Sequence, residues 1–194
     1  MCTACGFSLG ALSAQMGIPP QLTPPIADLD RVLLPRQRRA LAEAIDLLEK
    51  RFPDIVCVVV ITQIPESVAP EIYAFWLYNR GSLFSTVEQG GSNHGVLLLI
   101  DSEKPRAAVM IGYGLEPFVS PSLLDLCLQS ASPLLLRDNI GAAAEAFFKE
   151  LAKQLLVLSD QWPATFGYSD DVPWFDSATG ELLQVHKPEQ AELY

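Results

Sequence analysis

The run Ile55-Val56-Cys57-Val58-Val59-Val60-Ile61-Thr62 constrains the fold of this chain more than any other stretch. It is rich in β-branched residues and has no polar side chain until Thr62. A strand with one wet face would alternate apolar and polar, so this one reads as buried on both faces. Such a strand lies inside a sheet that helices cover above and below. The flanking sequence supplies those helices. Pro35 suits the first position of a helix. Leu41, Ile45, Leu48 and Phe52 then follow at spacings of four, three and four, one buried stripe that Pro53 ends. A second helix is expected over residues 68–79, with Ile72, Phe75 and Trp76 on one side and Gly81 past its end.

Residues 95–101 and 107–115 are two further strand candidates. Five residues separate them, too few for a parallel crossover, so they must pair antiparallel. The strand at 55–62 is followed by a helix and can join the same sheet through a right-handed crossover. Helices are expected at 121–131 and 141–158. In the second, Ala144, Phe147, Leu151, Leu155 and Leu158 form the buried stripe, and Asp138 or Asn139 is available as its cap. The stretch 81–95 is polar and glycine-rich and reads as a long surface loop.

The ends differ from this middle. Residues 1–27 form an arm punctuated by Pro19, Pro20, Pro24 and Pro25, expected to be extended rather than helical. Trp174-Phe175-Asp176 and Leu182-Leu183-Gln184-Val185 flank a turn containing Gly180, a plausible β-hairpin in the tail. The reading is therefore an arm over 1–27, an α/β domain over 28–158, and an acidic, aromatic-rich tail over 159–194. In that tail seven acids stand against Lys187 alone, so seven minus one gives −6 of the formal net charge of −10.

That charge argues against nucleic acid as a partner, because phosphate neutralisation needs clustered Lys and Arg, and against a basic patch for anionic lipid. No apolar stretch reaches the ~18–20 residues that cross a bilayer. The opening residues 1–17 lack the basic start of a signal peptide. Cys2 and Cys5 form a C-x-x-C with no second pair at zinc-ribbon spacing; it reads as an ordinary terminal arm or as a redox or metal pair. Cys57 and Cys127 lie in apolar surroundings and read as core residues.

The order helix, buried strand, helix, glycine-rich loop, then Asn93-His94-Gly95-Val96-Leu97-Leu98-Leu99-Ile100 and Ile111-Gly112-Tyr113-Gly114-Leu115-Glu116, resembles the TPM domain family. Asp28-Leu29-Asp30-Arg31-Val32-Leu33, Glu71-Ile72-Tyr73-Ala74, and Pro133 followed by Asp138-Asn139 fit the same pattern. The resemblance spans about 28–158. Arg80 stands where the family often has Trp, and Leu34 where its helix cap is usually Ser. The resemblance implies a three-layer α/β/α sandwich with a small mixed sheet, in agreement with the reading above. It also implies an exported or membrane-tethered setting, with roles in photosystem repair, receptor-complex assembly or envelope quality control, or an acid phosphatase activity. A divalent cation, calcium before magnesium, comes with it.

Topology suggests where a site would form. With 96–101 and 107–115 antiparallel and 55–62 parallel to 107–115, one end of the sheet would gather Asp28, Asp30, Asn93 and Glu116. These are the hard oxygen donors that calcium or magnesium prefers. The alternative is that they are loop, cap and strand-end residues. Gly112-Tyr113-Gly114 lacks the spacing and the Lys of a phosphate loop and reads as a close backbone approach. His94 reads as an acid–base group or, more simply, as a surface loop residue. No Gly-x-Ser-x-Gly elbow and no Cys/His pairing points to a nucleophile. The functional expectation is a binding or assembly module. It would be an accessory subunit of a membrane-associated protein complex, reached through the arm and the tail. The alternative is a metal-dependent acid phosphatase acting on phosphate monoesters.

Overall fold

The computed structural model describes residues 8–84, 93–159, 174–175 and 182–183. Four strands form the main sheet: β1 (Ile26–Asp28), β2 (Val56–Thr62), β3 (Gly95–Asp101) and β4 (Ala107–Ile111), in that spatial order. β1, β2 and β3 run parallel, and β4 returns antiparallel to β3. The apolar run does lie inside this sheet, with Cys57 to Ile61 essentially inaccessible.

Because side chains alternate along a strand, the sheet feeds two cores. Ile26, Cys57, Val59, Ile61, Val96, Leu98 and Ile100 face α2 (Pro35–Arg51), α4 (Pro121–Leu135) and α5 (Ile140–Ser159). Ala27, Val58, Val60, Leu97, Leu99 and Ala108 face α3 (Pro70–Arg80) and α1 (Leu9–Met16). The result is the expected three-layer sandwich with a mixed sheet. Leu41, Ile45, Leu48 and Phe52 are all buried, as are Ala144, Phe147, Leu151 and Leu155 of α5, while Leu158 is half-buried. Each fully buried Leu, Ile or Phe among them contributes roughly 1.5–3 kcal/mol of transfer free energy.

α2 and α3 cover opposite faces, yet β1 to β2 and β2 to β3 are steps in the same direction across the sheet. The two crossovers therefore have opposite hands, and only one can obey the right-handed rule.

Four local expectations change. The segment 1–27 is not extended throughout, because Leu9–Met16 is helical: Ser8 Oγ accepts from Ala11 N (3.1 Å), and the prolines begin only at Pro19. Ile26–Asp28 is an edge strand rather than part of the arm. The last strand stops at Ile111, since Leu115 N donates to Gly112 O (2.9 Å) and closes a turn there. α4 runs on through Pro133, where a missing N–H costs one bond in the last turn while Ala131 and Leu135 stay buried. Asn139 does cap α5, accepting from Ala142 N (3.4 Å) and from Gln37 Nε2 (3.1 Å) at the start of α2. Leu34 cannot cap α2, and Gln37 Oε1 accepts the Leu34 N–H instead (2.9 Å). In the tail, Trp174–Phe175 and Leu182–Leu183 pair antiparallel as the expected hairpin. Its turn lies outside the described residues, as do Cys2, Cys5, His186 and positions 85–92 of the long loop.

Candidate functional site

The strand directions decide how the expected donors are distributed. β2 runs parallel to β3 and hence antiparallel to β4, so Thr62 and Gln63 arrive at the opposite end of the sheet from Asn93 and Gly112. Asp28 and Asp30 lie with Thr62 and Asp101 at the carboxyl ends of the parallel strands. Asn93 and Glu116 flank the other end. From Gly95 to Asp101 is six steps along β3, about 20 Å at the usual strand rise. The four oxygen donors are thus divided into two pairs, and the single cation site expected from a parallel 55–62/107–115 pairing does not form as one ligand set. Among the described residues, no group of three or more His, Cys, Asp or Glu side chains lies close enough together to hold a metal ion.

At the carboxyl end, three loops leave the sheet and carboxylates hold them together. Asp28 accepts from the N–H groups of Val32 (3.1 Å) and Leu33 (3.0 Å), which tightens the turn before α2. Asp30 Oδ2 accepts from Gln63 N (2.8 Å) and from Ser102 Oγ (2.5 Å), joining the loop after β1 to those after β2 and β3. Gln63 Nε2 donates to Glu103 (2.7 Å). Asp101, buried at the end of β3, takes Nε (2.9 Å) and Nη2 (2.5 Å) of Arg106, which also donates to Ile64 O (2.8 Å). Burial raises the Tyr73 hydroxyl above its ordinary pKa, and the Asp30 charge raises it further. Asp101, Ser102 and Arg106 were not singled out from sequence, and Tyr73 only as part of the Glu71–Ala74 motif. The available signal was Asp101-Ser102-Glu103-Lys104-Pro105-Arg106, a tight turn with opposite charges at its two ends.

At the other end the glycines are explained by crowding. Asn93 adopts a left-handed φ of 40°. The Tyr78 hydroxyl donates to Asn93 Oδ1 (2.8 Å) and Gly95 O (3.3 Å), and burial raises its pKa strongly. Gly112 N donates to Gly95 O (2.9 Å), and a Cβ on Gly112 would run into the carbonyl of Asn93. A Cβ on Gly95 would stand 2.5 Å from Tyr78 Oη. His94 is half-buried, and its carbonyl accepts from Val56 N (3.2 Å). Ser120 Oγ caps α4 through Leu123 N (3.3 Å) and contacts Ser122 Oγ (3.0 Å). Cys57 and Cys127 are buried free thiols, held protonated by burial, Cys127 with a pKa of about 12. Both are core residues, as expected, and neither supplies a thiolate.

Known proteins share this fold. The BA42 protein of the psychrophilic bacterium Bizionia argentinensis superposes with a TM-score of 0.59 at 14% identity, over 74% of this chain and 90% of that one. The N-terminal domain of the cg2496 protein of Corynebacterium glutamicum follows at 0.53 and 15%, over 70% and 82%. The N-terminal domain of a protein from P. gingivalis gives 0.50 and 16%, over 74% and 84%. At these identities the likeness concerns the fold alone. No curated protein matches the chain in sequence. The TPM domain profile matches residues 26–154, from the first strand of the sheet to within one turn of Leu158. With two thirds of its length matched and the sheet, layers and crowded glycines in place, the chain belongs to the TPM domain family.

Proposed function

We propose that the chain is a binding and assembly module, an accessory subunit of a larger membrane-associated protein complex. The observation that carries this reading is the division of the chain. Among the described residues, both core clusters are built from residues between Leu12 and Leu155. Beyond the last helix, residues 160–194 hold Trp162, Phe166, Tyr168, Trp174, Phe175 and Tyr194 among seven acids and one Lys. Aromatic side chains concentrate at protein interfaces, and an acidic surround selects a basic partner surface. The carboxylates at the strand ends, meanwhile, serve as acceptors that fasten loops, which suits a rigid module. The N-terminal contribution to docking is smaller than its prolines suggest, because Leu12 belongs to the second core. No helix among the described residues is long and apolar enough to cross a membrane.

The test compares the full chain with a chain ending at Ser159. The full chain should co-purify in fixed stoichiometry with a membrane complex of its native source, and the shortened chain should not. Turnover of a generic phosphate monoester by the pure protein with calcium or magnesium, lost on Asp30→Ala, would reverse the reading in favour of a metal-dependent phosphatase.

A further inference from the structure

Two edges bound the four-stranded sheet, and they are finished differently. β1 is three residues long and follows Pro24 and Pro25. Its outward carbonyl at Ile26 accepts from Arg38 Nη2 (2.8 Å). Shortness, proline and a basic side chain are devices that blunt a sheet edge against pairing.

β4 is finished differently: Pro105 and Arg106 precede it, but the Arg106 side chain is taken up by Asp101 of β3 and the strand itself is unprotected. Ala107-Ala108-Val109-Met110-Ile111 has no proline, no charge and an unbroken register with β3. Asp101 N donates to Arg106 O (2.9 Å), and Gly112 N to Gly95 O (2.9 Å). Hydrogen-bonded pairs alternate along an antiparallel ladder. Arg106, Ala108, Met110 and Gly112 therefore face β3, and the N–H and C=O groups of Ala107, Val109 and Ile111 face outward. Among the described residues, nothing hydrogen-bonds to those outward groups.

We propose that this edge pairs with the same edge of a second copy, antiparallel about a two-fold axis through Val109, to form a continuous eight-stranded sheet. The inference is independent of the accessory-subunit reading. Three outward residues with Val109 in the middle make the strand self-matching. Val109 pairs with Val109 of the partner subunit, and Ala107 with Ile111 of the partner subunit. Every outward N–H then finds an outward carbonyl, as an isologous contact requires.

A second copy also brings its helical layers alongside. α3 and α4, which pack on the sheet's two faces, carry the exposed apolar side chains Ile72 and Leu126. A lone foreign strand would bring no such layers. The blunted β1 edge ends the assembly at two copies.

Sedimentation and amide exchange on the full chain test this together. The mass should double from 21.2 kDa at high concentration and return on dilution. The amides of Ala107, Val109 and Ile111 should be protected only in the dimer, and those of Ala108 and Met110 in both states. Val109→Pro removes an outward donor that β3 does not use, a change edge strands tolerate. That variant should melt cooperatively and remain monomeric. If it does not fold, the exchange pattern of the wild type decides. A wild type that is monomeric at every concentration, a dimer whose outward amides exchange freely, or a folded Val109→Pro that still dimerises would each overturn the proposal.

Discussion

Gly112 shows how a specific sequence signal can have a purely steric cause. The Asn93 carbonyl stands where a Cβ at Gly112 would be, and the Tyr78 hydroxyl closes the same corner. Gly112→Ala should destabilise the fold by about 3 kcal/mol, since the crowding atoms belong to backbone that cannot step aside. Tyr78→Phe should cost about 1 kcal/mol through one lost hydrogen bond. Urea unfolding curves measure both. The divided oxygen donors give a prediction at the same scale. Asp28 and Asp30 already hold N–H and O–H donors, and Asn93 and Glu116 lie at the far end of β3. Millimolar calcium should leave the melting temperature unchanged. A rise that chelator reverses would show a cation drawing one of these pairs out of its present bonds.

At the scale of elements, α1 and the α2–β2 junction are the informative pieces. α1 is two turns long, too short to be stable alone, and it persists because Leu12 is buried against the second core. Leu12→Ala should lower stability by about 2 kcal/mol in a denaturation curve. An unchanged curve would return residues 9–16 to a free arm. At the junction, Glu49 on α2 accepts from Cys57 N (2.7 Å) and fixes the start of β2. Burial is the main cause of its raised pKa; the Cys57 bond opposes the rise, and Asp46 adds to it. A carboxylate with a raised folded pKa is protonated in the folded state before the unfolded one. Its unfavourable contribution is therefore fully present at neutral pH and is relieved as pH falls through the folded pKa toward the unfolded value. Glu49→Gln should stabilise the protein at pH 7 and flatten its pH dependence in that window, read from urea midpoints at pH 7 and pH 5.

At the scale of the whole molecule, the core begins earlier than the sequence boundary at residue 28 suggests. It includes Leu12, Ile26 and Ala27. Limited proteolysis of the full chain should accordingly leave a protected fragment that retains α1 and ends near the close of α5. Cleavage between α1 and β1 as the first event would contradict the packing of Leu12. The sandwich itself was legible in the apolar run at 55–62 and in the two helical stripes, because burial on both faces of a strand demands a layer on each side.

The sequence by itself determined the elements and their order. Periodicity, prolines and the short 102–106 connection each act within a few residues, and local sterics and solvent transfer suffice to read them. Asn139 as a cap, Cys57 and Cys127 as core, and the antiparallel β3–β4 pair are of this kind. Only the tertiary structure decided that β2 runs with β3 rather than with β4, and that choice sends Asp28 and Asp30 to one end of the sheet and Asn93 and Glu116 to the other. It also decided the opposite hands of the two crossovers and the salt bridge of Asp101 with Arg106. The physical reason is the same in each case. Strand neighbours and helix faces are chosen by how whole layers bury each other, and a one-dimensional pattern marks which side chains must be buried but not what buries them.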